Sequence, residues 1–139
     1  MSRDSAQDIR DRSFRFACAV AAAARALPPR PGLRCIVDQL VKAATAVGSN
    51  LEEAKAASSR REFVRMVEIS LREAREAVYR LRICRALGVG TDAEVDKLRA
   101  EGEQIARILG AIVVKTKART ASGYVVFTVC ILALASAVS

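Results

Sequence analysis

The chain has no histidine and no tryptophan, and only 4% of its 139 residues are aromatic. Lack of histidine removes the commonest general base and a frequent metal ligand. The four cysteines, Cys18, Cys35, Cys84 and Cys130, are widely spaced with no Cys-x-x-Cys pair, so they do not form a zinc site. We expect no metal and no cofactor. The cysteines read as small buried hydrophobes kept reduced in a cytoplasm. No glycine-rich phosphate loop or nucleophile elbow occurs. No secretory leader is expected either: Arg3, Asp4 and Asp8 open the chain, and Arg15 and Arg25 interrupt the apolar stretch Phe14–Leu27. Proline is confined to Pro28, Pro29 and Pro31. Long continuous helices can therefore form on either side of one stiff link.

Apolar residues make up 52% of the chain, with alanine abundant and no alternating run before residue 123. Alanine loses no side-chain entropy in a helix, so this composition favours closely packed helices over a sheet. Four amphipathic segments follow. The first runs from about Ser5 to Leu27, with Ile9, Phe16, Val20, Ala24 and Leu27 at helical spacing and Phe14 nearby. The second covers about Gly32–Ala57, with Leu33, Ile36, Val37, Leu40, Val41, Val47 and Leu51 as its buried stripe. Gly48 inside it costs about 1 kcal/mol relative to alanine and is best explained by close approach of a neighbouring backbone. The third opens on a capping box, Ser59 with Glu62. Its stripe is Phe63, Val67, Leu71, Ala74, Val78 and Leu81, and it closes at Leu87-Gly88. The fourth starts at a second box, Thr91 with Glu94, carries Val95, Leu98, Ile105, Ile108, Leu109 and Ile112, and extends to about Lys117. Four such helices with short links specify an all-α, antiparallel up-down-up-down four-helix bundle over residues 1–119.

Polar residues inside the apolar pattern suggest an interior network. Gln39, Asn50, Glu53 and Glu73 lie at or beside buried stripes, where paired carboxylates could do acid–base chemistry. An interhelical polar network that fixes register, with Arg75, Arg80 or Gln39 as partners, is the simpler reading. We therefore expect no enzyme.

Several landmarks recur in order: Phe14-Arg15-Phe16, Leu27-Pro28, Gln39-Leu40, Asn50 with Glu53-Ala54, Ser59 with Phe63, and Glu73-Ala74-Arg75-Glu76. Over roughly residues 10–118 the chain resembles the bacterial 23S rRNA intervening-sequence proteins, named after reading frames found inside intervening sequences of large-subunit rRNA. The resemblance implies a four-helix bundle that self-associates, with a homopentamer expected. It extends to accessory proteins of diversity-generating retroelements, and so implies a reverse transcriptase and its RNA as partners.

Net charge is +8, and the surplus is uneven. The excess lies in the first and third helical regions: residues 1–30 carry six basic against three acidic groups and residues 60–88 eight against four, whereas residues 31–59 carry three of each. Arg61, Arg65, Arg72, Arg75 and Arg82 fall within about a third of the third helix's circumference, at roughly 100° per residue. Arginine suits bidentate phosphate recognition, and a solvated mixed face is the alternative. With only Tyr79 among them, binding of RNA or DNA would be electrostatic and nearly sequence-blind. Glu68 and Glu76 interrupt the stripe and are spaced to pair with Arg72 and Arg80.

Residues 120–139 form an apolar extension without a charged side chain and without a counterpart in the family pattern. The segment 122–139 is marginal as a membrane span. Lys115, Lys117 and Arg119 before it would keep the bundle on the cytoplasmic side. A segment packed on another subunit, a membrane anchor, or a disordered end each fit. The leading expectation is a cytoplasmic oligomer that contacts nucleic acid, and the rival is a membrane-tethered interaction module.

Overall fold

The computed structural model describes the backbone of residues 3–28 and 30–137 and the side chains of residues 9–28 and 30–119. Four helices follow one another with no strand among the described residues: α1 (Arg3–Ala26), α2 (Arg34–Lys55), α3 (Arg60–Ala86) and α4 (Asp92–Ala137). Helical periodicity is the dominant instruction in this sequence, and the structure follows it.

Local chemistry sets the boundaries. The proline-rich link ends α1, and Gly32, at φ 83°, turns the chain into α2. No side chain caps α2 at Leu33, so this helix depends on the preceding turn for its start. At α3 the Ser59 hydroxyl accepts from the Glu62 amide at 3.1 Å. The Glu62 carboxylate reaches back one residue further than the expected box, accepting from the amide and hydroxyl of Ser58 at 2.9 and 2.7 Å. The far end of α3 closes in a Schellman arrangement. Val89 N donates to Cys84 O at 2.9 Å, Gly88 N to Arg85 O at 3.4 Å, and Gly88 takes φ 62°. Val89 is buried, which adds the apolar contact that usually accompanies this turn. Thr91 then accepts from the Glu94 amide at 3.3 Å to start α4. That helix does not stop near Lys117 as its pattern suggests but runs to Ala137. No proline follows Pro31 to break it.

The core joins buried residues of all four helices, including Phe16, Val20, Val47, Val67, Leu81, Ile105 and Leu109. Helix α3 packs against both α2 and α4, and α1 packs against α2 and more lightly against α4. Between α1 and α2, Arg10 pairs with Glu52 at 3.6 Å. A Cβ on Gly48 would lie 4.0 Å from the backbone of Ser13 and Phe14, the close approach that its place in the helix suggests. Between α2 and α3, the buried Ser70 hydroxyl donates to Val47 O at 2.7 Å. Between α3 and α4, Arg85 pairs with Asp92 and Asp96 at 2.9 and 3.3 Å.

Gly102 marks the tightest contact. An added Cβ would meet Val78 Cγ2 at 2.9 Å and Phe16 Cζ at 3.2 Å, both held by packing. Gly110, one helix stretch later, has open space around it. Gly102→Ala should cost about 1–3 kcal/mol in urea unfolding through overpacking. Gly110→Ala should stabilise by up to about 1 kcal/mol through helix propensity. Equal effects at the two sites would contradict this packing.

Candidate nucleic-acid interface

Helix α3 buries Val67, Ser70, Leu71, Ala74, Ala77 and Leu81 on its inner side. Arg61, Arg65, Arg72, Arg75 and Arg82 are all exposed on it, and none is in an ion pair among the described residues. Arg65, Arg72 and Arg75 line a shallow groove of about 440 Å³ together with Glu68, Ile69 and Leu71. Tyr79 is 55% exposed within this face. The Arg80 guanidinium lies 6.0 Å from its ring centroid, at the outer limit of a cation–π contact.

Carboxylates that could neutralise the stripe are engaged elsewhere. Glu76 takes Arg80 at 3.2 Å, the pairing its spacing suggests. Glu68 pairs across to α4 with Lys117 rather than with Arg72. Spacing along one helix cannot reveal that competitor, since Lys117 is remote in sequence. Arg72 is thereby left without an ion-pair partner among the described residues. Asp96 and Glu103 pair with Arg99 at 3.5 and 3.2 Å, and Asp38 with Arg34 at 3.6 Å. Several acidic groups thus pair within their own helix or across a helix–helix seam, while the five arginines of the stripe form no ion pair among the described residues.

The four interior polar candidates are not brought together. Gln39 and Glu53 are exposed, while Asn50 and Glu73 are half-buried. The Asn50 amide donates to Ala46 O at 2.7 Å within its own helix. No hydrogen bond joins the four among the described residues. The buried polar side chains are instead Ser13 and Ser70. Ser70 bridges α2 and α3, whereas the Ser13 hydroxyl is buried without a hydrogen-bond partner. Serine's small size lets it pass for alanine in a stripe, so nothing in the spacing singles these two out.

No group of three or more histidine, cysteine or acidic side chains among the described residues could hold a metal. Cys84 is buried, and burial raises its thiol pKa above the ordinary value. Cys18 and Cys35 are exposed, which corrects the expectation of buried thiols: they face away from the stripes of α1 and α2. Among the described residues no helix is long and apolar enough to cross a membrane. Cys130 and the alternatives for segment 122–139 lie outside the residues whose side chains are described.

A basic, all-α protein of four helices, with a stripe of exposed arginines on α3, is the class that fold and surface define. The family model of the 23S rRNA-intervening sequence proteins matches residues 5–111, and the chain belongs to that family. A solved Bacteroides thetaiotaomicron protein of unknown function, from the S23 ribosomal protein family, is similar in fold. Its TM-score is 0.67 at 23% identity, over 76% of this chain and 97% of that one. Among curated proteins there is no match.

One seam is pH-sensitive. Arg12 on α1 grips Glu101 on α4 with two bonds, Nε to Oε1 and Nη2 to Oε2, the second at 2.9 Å. This hydrogen bonding holds the Glu101 carboxyl below its ordinary value against the opposing effect of burial, with the charges of Arg12 and Arg15 adding to it. A depressed carboxyl pKa stabilises the fold above the unfolded value of about 4.3, and that contribution is lost as pH falls through the folded value. Glu101→Gln should therefore be less stable than the parent at pH 7, by under about 1 kcal/mol given solvent screening. In thermal melts the gap should close as pH drops below about 4. A gap independent of pH would mean that packing, not charge, holds this seam.

Proposed function

We propose that this chain is a non-enzymatic nucleic-acid-binding protein that grips the phosphate backbone with the outer face of α3. One observation carries the reading: Arg61, Arg65, Arg72, Arg75 and Arg82 are exposed together, while nearby Glu68 and Glu76 are tied to Lys117 and Arg80. Guanidinium groups that form no ion pair among the described residues are available for bidentate contact with phosphate. The face lacks a set of aromatic platforms, so binding is electrostatic and indifferent to base sequence.

The bundle that presents this face is antiparallel and up-down-up-down. That order is supported by pairings that run in opposite chain directions: Arg10 with Glu52 and Ser13 beside Gly48, then Glu68 with Lys117 and Arg85 with Asp96. The family's name ties its members to an rRNA intervening sequence, and the fold relative's to a ribosomal protein family. Both are compatible with an RNA ligand. Self-association into a homopentamer would repeat the α3 face and convert modest patches into multivalent binding. An adaptor that holds RNA for a reverse transcriptase in the cytoplasm is the role such a ring suits.

Reversing Arg65→Glu and Arg72→Glu together tests this. The double variant should retain its helicity and bind single-stranded RNA more weakly. Its slope of log affinity against log salt should become shallower by about 1.4, since each lost phosphate contact removes about 0.7. An unchanged affinity and slope would reduce the stripe to ordinary solvated surface.

A further inference from the structure

A second surface, chemically distinct from the stripe, lies where the start of α3 meets α4. There a groove of about 430 Å³ has Phe63, Ile108 and Ile112 in its apolar floor and Arg60, Lys115 and Arg119 on its rim. Each of the three apolar side chains is only half-buried, and the three cations are exposed. Among the described residues no carboxylate lines the groove, and none of the three cations is in an ion pair. The arrangement differs from the α3 stripe in two respects. Its apolar floor spans two helices and includes an aromatic ring, and its lining holds no carboxylate among the described residues, whereas Glu68 lines the α3 groove.

From the groove, we infer that this end of the bundle docks on an anionic lipid surface. An apolar strip bordered by cations matches the boundary between acyl chains and charged headgroups, where apolar side chains enter and basic ones stay with the phosphates. A polyanion such as RNA offers charge but nothing to cover the accessible part of the half-buried Phe63, Ile108 and Ile112. The chain itself supplies a second reason. Beyond Arg119, at the groove's edge, twenty residues follow without one charged side chain. A stretch of that composition prefers an apolar medium, and the cations before it would be placed at the headgroup level. Groove and extension would then meet the same surface from one end of the molecule, leaving the arginines of α3 free for another ligand.

The test is sedimentation of the full chain with vesicles of phosphatidylglycerol and phosphatidylcholine, and with vesicles of phosphatidylcholine alone. The parent protein should pellet with the anionic vesicles and be released by salt. Reversal of the rim in R60E/K115E/R119E should weaken this binding by about a hundredfold, at roughly tenfold or less per basic residue. Ala111→Asp, which places a charge on an exposed position of the groove, should weaken it without disturbing the helices by circular dichroism. The Arg65→Glu, Arg72→Glu variant should bind vesicles as the parent does, which separates this surface from the RNA-binding face. Equal binding of parent and rim variant would assign membrane affinity to the apolar extension alone and overturn the inference. So would an absence of vesicle binding, or a loss in the rim variant confined to RNA or to an acidic peptide.

Discussion

The fit of α3 between α2 and α4 is the constraint on which the rest of the molecule depends. Small residues make it possible. Ala74 and Ala77 are fully buried, Ser70 closes onto the α2 backbone, and Gly102 lets Val78 and Phe16 approach where any side chain would collide. Close-packed interiors resist a change of even one methylene, so a helix seated this way has a fixed rotation about its axis. That rotation decides which residues face outward. The arginine face exists because the opposite face of the same helix is committed to the core.

Electrostatics then reinforces the arrangement. Carboxylates sit at seams and caps, with Glu101 against Arg12, Glu52 against Arg10, Asp92 and Asp96 against Arg85, and Glu62 at the start of α3. Individually such pairs contribute little to stability. Their larger effect is on where charge remains. With these acidic groups paired, α3 and the groove rim are among the places where cations remain without an ion-pair partner among the described residues. A single charge balance therefore underlies both proposed surfaces.

Much of this was legible in the residues because it is local. The caps at Ser59 and Thr91, the glycine turn at Gly88 and the stripe of α3 depend on neighbours within one or two turns, and the sequence displays all of them. Gly48 was also readable, since a glycine within a helix usually records a close neighbour. What depends on a partner remote in the chain was not readable. Glu68 has Arg72 one turn away, yet it pairs with Lys117, which only the packing of α4 brings near. Gln39 and Glu53 look interior by spacing but are exposed, because helical periodicity gives a face and not the width that neighbours cover. Gly102 and Ser13 are unremarkable in the sequence and become significant only when a second helix is laid against them.

Native-state hydrogen exchange measures the seating of α3 directly. If α3 is the element that the others depend on, the amides of residues 64–84 should share the highest protection and exchange only through global unfolding. Opening of α1, whose backbone comes near α2 and more sparsely α4 but not α3, should be seen first, at lower free energy. Exchange of the α3 amides before those of α1, through a partial opening that leaves α1, α2 and α4 protected, would contradict the account.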